Sequence, residues 1–132
     1  MTAALDPERE AFSLARTCYK HLAGQLGVAW FSALKRQGMV HLCDGALEVA
    51  PRGVSHFVEL GLCPPRWPSG KLCLDWTERR HHLGGPLGCL LTPHLIAIGW
   101  IARRRDRRAL RVTSAGGSGF AQLGLRDAMG TS

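Results

Sequence analysis

At 132 residues the chain is long enough for one domain or two very small ones with a real core. Hydrophobic residues make up 45% of it and Lys/Arg exceed Asp/Glu by 17 to 10, which excludes a wholly disordered chain and favours an anionic partner. No apolar run approaches the roughly 18–20 residues of a membrane span, and no basic-then-apolar leader opens the chain, so no membrane partner and a cytoplasmic location are expected.

The positive charge is uneven. Residues 1–66 carry seven Lys/Arg against six Asp/Glu, whereas residues 67–132 carry ten against four. The five cysteines form no CxxC pair, so neither a disulfide scaffold nor a zinc knuckle is signalled.

Asp6-Pro7 reads as the cap and first position of a helix running to about Gly24. A second helix is predicted from Gly27 to Gln37, with Val28, Phe31 and Leu34 on one side and Gly38 as its stop. Met39–Cys43 and Ala46–Ala50 read as strands around Asp44-Gly45, a dipeptide suited to a type I′ turn. A helix from Arg52 to Leu60 follows, closed by Gly61.

Residues 63–71, "CPPRWPSGK", are Pro- and Gly-rich and mark a linker. Leu72–Trp76 reads as a short extended piece, and Thr77 as the cap of a helix through "TERRHH" that breaks at Gly84-Gly85-Pro86. Thr92-Pro93 is read as the cap and first position of a further short helix, His94–Ile98. The stretch 99–116, "GWIARRRDRRALRVTSAG", reads as a basic hairpin leading into a closing helix from Thr113 to about Leu125, weakened by its glycines. The tail 126–132 is expected to be disordered.

The chain repeats itself. "HLAGQLG" at 21–27 matches "HLGGPLG" at 82–88, and Gly38-Met39-Val40 matches Gly99-Trp100-Ile101, at an offset of 61. Beyond the hairpin the offset is 63, because "ALEVAPRG" at 46–53 matches "ALRVTSAG" at 109–116 and "ELGL" at 59–62 matches "QLGL" at 122–125. The two extra residues therefore fall at the arginine-rich tip, where an insertion leaves packed strands undisturbed. The predicted fold class is α+β: two degenerate winged-helix-like repeats, each of helices and a β-hairpin wing, sharing a core. Their bounds are 1–62 and 72–125, with 63–71 between.

With that repeat in view, the chain resembles the C-terminal region of bacterial ArsR-family-like transcriptional regulators. The strings that carry the resemblance are "ARTCYKHLAGQLGVA" (15–29), "CLDWTERRHHLGGPLG" (73–88), "GWIARRRDRRALRVTSAG" (99–116) and "LGL" (123–125). The resemblance implies transcription regulation, double-stranded DNA as a partner, a homodimer or partner regulator, and a small-molecule effector. In the family a DNA-reading winged helix-turn-helix domain precedes this region. Only 14 residues precede Ala15, so a shortened or standalone version is expected, with effector sensing or dimer contacts as the alternative role.

Three groups of residues are candidates for function. Arg103, Arg104, Arg105, Arg107 and Arg108 crowd the second wing and suit DNA phosphates, although a solvated turn explains them as well. Tyr19, Trp30, Trp76 and Trp100 could line an effector pocket between the units, with core packing as the simpler reading. Cys18 and His21, three apart on the predicted first helix, could share a metal or thiophilic ligand. His41 with Cys43, and Cys73 with His81 and His82, are weaker candidates of the same kind. No cofactor is signalled. No phosphate loop, HExxH or GxSxG is present, so an enzyme is not expected.

Overall fold

The computed structural model describes residues 16–18, 21–75, 78–103 and 109–125. The elements run β1 (Arg16–Cys18), β2 (His21–Ala23), α1 (Gly24–Arg36), β3 (Val40–Cys43), β4 (Ala46–Val49) and α2 (Pro51–Glu59). The same order then recurs as β5 (Lys71–Leu74), β6 (His81–Gly84), α3 (Gly85–Ala97), β7 (Ile101–Arg103), β8 (Leu110–Val112) and α4 (Ser114–Gln122). The class is α+β. Each unit is a hairpin, a long helix, a second hairpin and a short helix, and the strands form four separate two-stranded antiparallel sheets.

The backbone repeats in detail. Gly24 and Gly85, Gly38 and Gly99, and Gly61 and Gly124 all take positive φ at equivalent places. At the end of α1, Gly38 turns the chain so that the Met39 N–H donates to the Leu34 carbonyl at 2.8 Å. At the end of α3, Gly99 does the same, and the Trp100 N–H donates to the Leu95 carbonyl at 2.9 Å. Both are six-residue closures of the Schellman type, which need a left-handed residue that glycine supplies at no steric cost. The Asp44-Gly45 turn forms as predicted, with φ of 51° and 81°.

The core follows the same register. Leu22 and Leu83, Leu26 and Leu87, Trp30 and Leu91, Leu34 and Leu95, Val40 and Ile101, Leu47 and Leu110, and Phe57 and Phe120 are matched pairs with both members buried. They belong to one cluster rather than two. Each fully buried side chain of this size contributes roughly 1.5–3 kcal/mol. The units also cross: α1 packs on β6, α3 packs on β2, and β2 meets β6. The Pro/Gly-rich segment is built into this body. Trp67 packs on Phe57 with ring centroids 5.7 Å apart, and Gly70 pairs with Leu47 through two backbone hydrogen bonds of 2.7 and 2.9 Å.

Three predicted helices are corrected. The first was expected to run to Gly24, yet residues 16–23 hold the β1–β2 hairpin, with Thr17 opposite Leu22. The helix expected through "TERRHH" is replaced by a turn with Arg79 at φ 57°, followed by β6. The short helix at 94–98 is the end of the continuous α3, in which Pro93 lies inside the helix with its ring exposed. Gly85-Pro86 therefore opens a helix and does not end one, since proline is pre-set for the first helical positions. Burial of Leu87, Leu91 and Leu95 outweighs the hydrogen bond that Pro93 removes.

Candidate functional site

Where the two units cross, one acid organises the interface. Asp75 is fully buried directly after β5. Its carboxylate accepts from the Gly24 N–H at 2.7 Å, at the first residue of α1, and lies 3.0 Å from His82 Nδ1 on β6. It also accepts from the Glu78 N–H at 3.2 Å, while the Asp75 backbone brackets the turn through bonds with Arg79 and Arg80. A carboxylate at a helix N-terminus complements the unpaired N–H groups there. From the other side, Thr92 Oγ1 of α3 accepts from the Leu22 N–H of β2 at 2.8 Å. The second unit thus offers two buried side-chain acceptors, Asp75 and Thr92, to backbone N–H groups of the first.

The turn that Asp75 holds carries positive charge. Arg79, Arg80 and His81 line a cleft of about 380 Å³ together with Leu72 and with Phe31, Ser32 and Lys35 of α1. Arg80 Nη2 donates to Ser32 Oγ at 3.4 Å, and Lys35 Nζ stands 5.6 Å over the Phe31 ring. Among the described residues no carboxylate lines this cleft. A basic wall with one aromatic face suits a phosphate-bearing ligand. The cleft is not visible in the sequence because its cations come from two segments more than forty residues apart.

A second cavity, of about 290 Å³, lies between α2 and α4. Met39 faces it with Trp100, His56 with Gly119, Glu59 with Gln122, and Leu60 with Leu123; each of these is a pair at the repeat offset. The cavity therefore sits on the pseudo-two-fold axis that relates the units. Gln37 and Arg52 complete the lining. The indole of Trp100 lies across Gly119, where any β-carbon would meet the ring, and packs edge-on against Phe120 with centroids 5.0 Å apart. Burial pushes the His56 imidazole below its ordinary value of 6.5, with Glu59 opposing the shift. His56 Nε2 is buried with no hydrogen-bond partner among the described residues.

The predicted site residues are dispersed. Arg103 is exposed at the end of β7, while Arg104, Arg105, Arg107 and Arg108 lie outside the described residues. The register still places the two-residue insertion at that tip: six residues separate Arg103 from its partner Leu110, and four separate Leu42 from Leu47. Of the four aromatics, Trp30 is 1% exposed in the core and Trp100 lines the axial cavity; Tyr19 and Trp76 lie outside the described residues. Cys18 and His21 are directly opposed across the β1–β2 hairpin and do not lie one turn apart on a helix. Cys73 pairs with His82 across β5–β6 in a similar way. Among the described residues no group of three or more His, Cys, Asp or Glu could hold a metal ion, and no helix is long and apolar enough to cross a membrane.

No protein-family model matches the chain, and no solved structure matches it. The chain is similar to a Bacillus subtilis (strain 168) protein named an uncharacterized HTH-type transcriptional regulator, YdfF, with 38% identity over 118 residues. The match takes in 86% of this chain and 52% of the relative, so the chain spans about half the length of the curated protein it matches.

Proposed function

We propose that this chain is a non-catalytic part of a bacterial transcription regulator of ArsR-like type, built as two degenerate winged-helix-like units and acting in the cytoplasm as a homodimer or with a partner regulator. The observation that carries this reading is the 38% identity to an HTH-type regulator across nearly the whole chain. Its contact with double-stranded DNA is through phosphates. The segment 101–111 holds six arginines and one aspartate, and Lys35, Arg79 and Arg80 add a second basic surface. Sequence readout needs a helix whose polar side chains reach base edges. Neither long helix offers one: eight of the thirteen residues of α1 are buried, and α3 is apolar along most of its length.

Fluorescence anisotropy of a labelled duplex, titrated with the chain at rising salt, tests this reading. Weak, sequence-independent binding near about 50 mM salt is expected, falling by roughly 0.9 in log K per log salt for each phosphate contacted. Absence of binding at that salt overturns the DNA role. Replacing Arg103, Arg104, Arg107 and Arg108 by Ala should flatten the salt slope. A second reading, an effector-sensing or dimerisation module without DNA contact, is favoured by the axial cavity. Ligand-dependent stabilisation or dimerisation with no duplex binding supports that alternative.

A further inference from the structure

We propose that the cleft between α1 and the β5–β6 turn is a binding site for a small phosphomonoester, held as its dianion by Lys35, Arg79 and Arg80. Binding of the ligand stands on the cleft alone. Its consequence, exclusion of the DNA backbone from the same three cations, rests on the regulatory reading above.

The first support is uncompensated charge in a concave place. Lys35, Arg79 and Arg80 line one cleft of about 380 Å³, and no carboxylate among the described residues lines it with them. Among the described residues, none of the three makes an ion pair. Asp75, the acid that holds the turn, is fully buried beneath it and engaged with the Gly24 N–H, His82 and the Glu78 N–H. Three cations brought together from two units repel one another, and an anion among them removes that cost. A phosphomonoester carries roughly 1.5–2 negative charges at neutral pH, where a backbone phosphodiester carries one. The cleft therefore favours the monoester.

The second support is that the donors are already placed. The turn bearing Arg79 and Arg80 is fixed by bonds from the Arg79 N–H to the Asp75 carbonyl and from the Asp75 N–H to the Arg80 carbonyl, both 2.8 Å. Arg79 takes φ 57°, a left-handed conformation that glycine would adopt at no steric cost. A cationic side chain is kept there all the same. Arg80 reaches across to α1 and donates to Ser32 Oγ at 3.4 Å, which leaves the Ser32 hydroxyl its own proton to donate. Donors held in position before the ligand arrives lower the ordering cost of binding.

The third support is that the frame does not need these groups. The equivalent helix α3 packs on β2 with Pro93 and Ile96 at the places of Ser32 and Lys35. Leu72, which is 40% exposed, gives the cleft an apolar wall for the carbon skeleton of the ligand. The volume lies within the range of about 300–1,000 Å³ that small-molecule sites occupy.

Phenyl phosphate at about pH 8, where it is a dianion, is the probe. Methyl phenyl phosphate, with the same ring and a single charge, is its control. Titrated calorimetrically into the full chain at about 0.15 M salt, phenyl phosphate should bind saturably and about tenfold more tightly than the control. Lys35→Gln, Arg79→Gln and Arg80→Gln change exposed side chains and should fold with unchanged Tm, and each should weaken binding about tenfold. Arg66→Gln, exposed and outside the cleft, should leave binding unchanged. Saturating phenyl phosphate should weaken duplex binding by the unaltered chain and leave that of the triple variant as it was. Absence of saturable binding, equal affinity for the control, or binding that the three substitutions leave unchanged overturns the site. Duplex binding that saturating ligand does not alter overturns the exclusion. If no duplex binds at all the DNA reading fails, and the calorimetry still decides the site.

Discussion

Replacing Asp75 with Ala tests the crossing of the two units most directly. The carboxylate is fully buried, and its partners include the Gly24 N–H of the first unit, and His82 and the Glu78 N–H of the second. Truncation takes the acceptor from α1 at its first residue and takes the carboxylate from a buried histidine. Leaving buried donors without their acceptor costs about 1–3 kcal/mol each, so losing a carboxylate that serves several should cost about 3–5 kcal/mol. Against a total stability of roughly 5–15 kcal/mol that is a large fraction, corresponding to a Tm lowered by roughly 10–20 °C. Asp75→Asn keeps the shape and one acceptor oxygen, so its loss should be smaller, about 1–3 kcal/mol. A double change to Asp75→Leu and His82→Leu should recover only part of the Ala loss, because the Gly24 N–H still lacks its acceptor. Urea denaturation followed by tryptophan fluorescence measures all three variants. A loss below about 1 kcal/mol for Asp75→Ala would refute the view that this carboxylate joins the units.

Gly53→Ala and Gly116→Ala should be equally destabilising, by roughly 1–3 kcal/mol, because each β-carbon would fall on the carbonyl oxygen of an equivalent residue, Met39 in one unit and Trp100 in the other; unequal losses in thermal melts would count against the structural repeat. Thr92→Val removes the acceptor of the buried Leu22 N–H and should cost about 1–3 kcal/mol by the same assay. His56 has a folded-state pKa below its ordinary 6.5, so below that pH the unfolded chain binds the proton more readily and stability is lost as pH falls. His56→Phe should abolish that share of the acid-side loss, as read by melts between pH 8 and 5. Lys35→Ala, Arg79→Ala and Arg80→Ala together should reduce the salt slope of duplex binding by up to about three; an unchanged slope would place phosphate contact elsewhere.

Much of this fold is legible in the sequence where a local rule and the repeat agree. Asp44-Gly45 signals its turn, Gly38 and Gly99 signal their helix ends, and α2 and α4 begin within a residue of their expected starts. The repeat also leads to the expectation of a shared core, and one buried cluster spans both units. Two of the three misread helices lie just before the two long helices, and the third comes from dividing α3 at Pro93. In the first two cases "TCYKHLAG" and "TERRHHLGG" have residues that a helix tolerates, and their apolar positions are too sparse to separate helical from strand periodicity. The repeat itself carried the missing signal. Pro86 cannot sit in the interior of a helix that runs through residues 82–88 without breaking its hydrogen bonding, so the second copy must start its helix there. Residues 21–27, being its equivalent, must then do likewise. The axial cavity was out of reach for another reason. Its lining pairs can be written down from the offsets, but nothing in the sequence says that α2 and α4 face each other.

The two sites use the duplication in opposite ways. In the axial cavity both copies contribute at equivalent positions, so a ligand there would touch both units and sense any change in how they cross. The basic cleft has no such counterpart. At the repeat offset Lys35 and Ser32 correspond to Ile96 and Pro93, and Arg103 of the second wing corresponds to Leu42 of the first. Lys35 and Arg103 are therefore not duplicated in a frame whose core is nearly symmetric. The same Asp75 that ties α1 to the second unit also brackets the turn bearing Arg79 and Arg80. A shift of α1 relative to β6 would act on Asp75 and hence on the cations of the cleft. The crossed packing of α1 on β6 joins the two places: β5–β6 carries the cleft, and α1 leads through Gln37 and Met39 to the cavity wall.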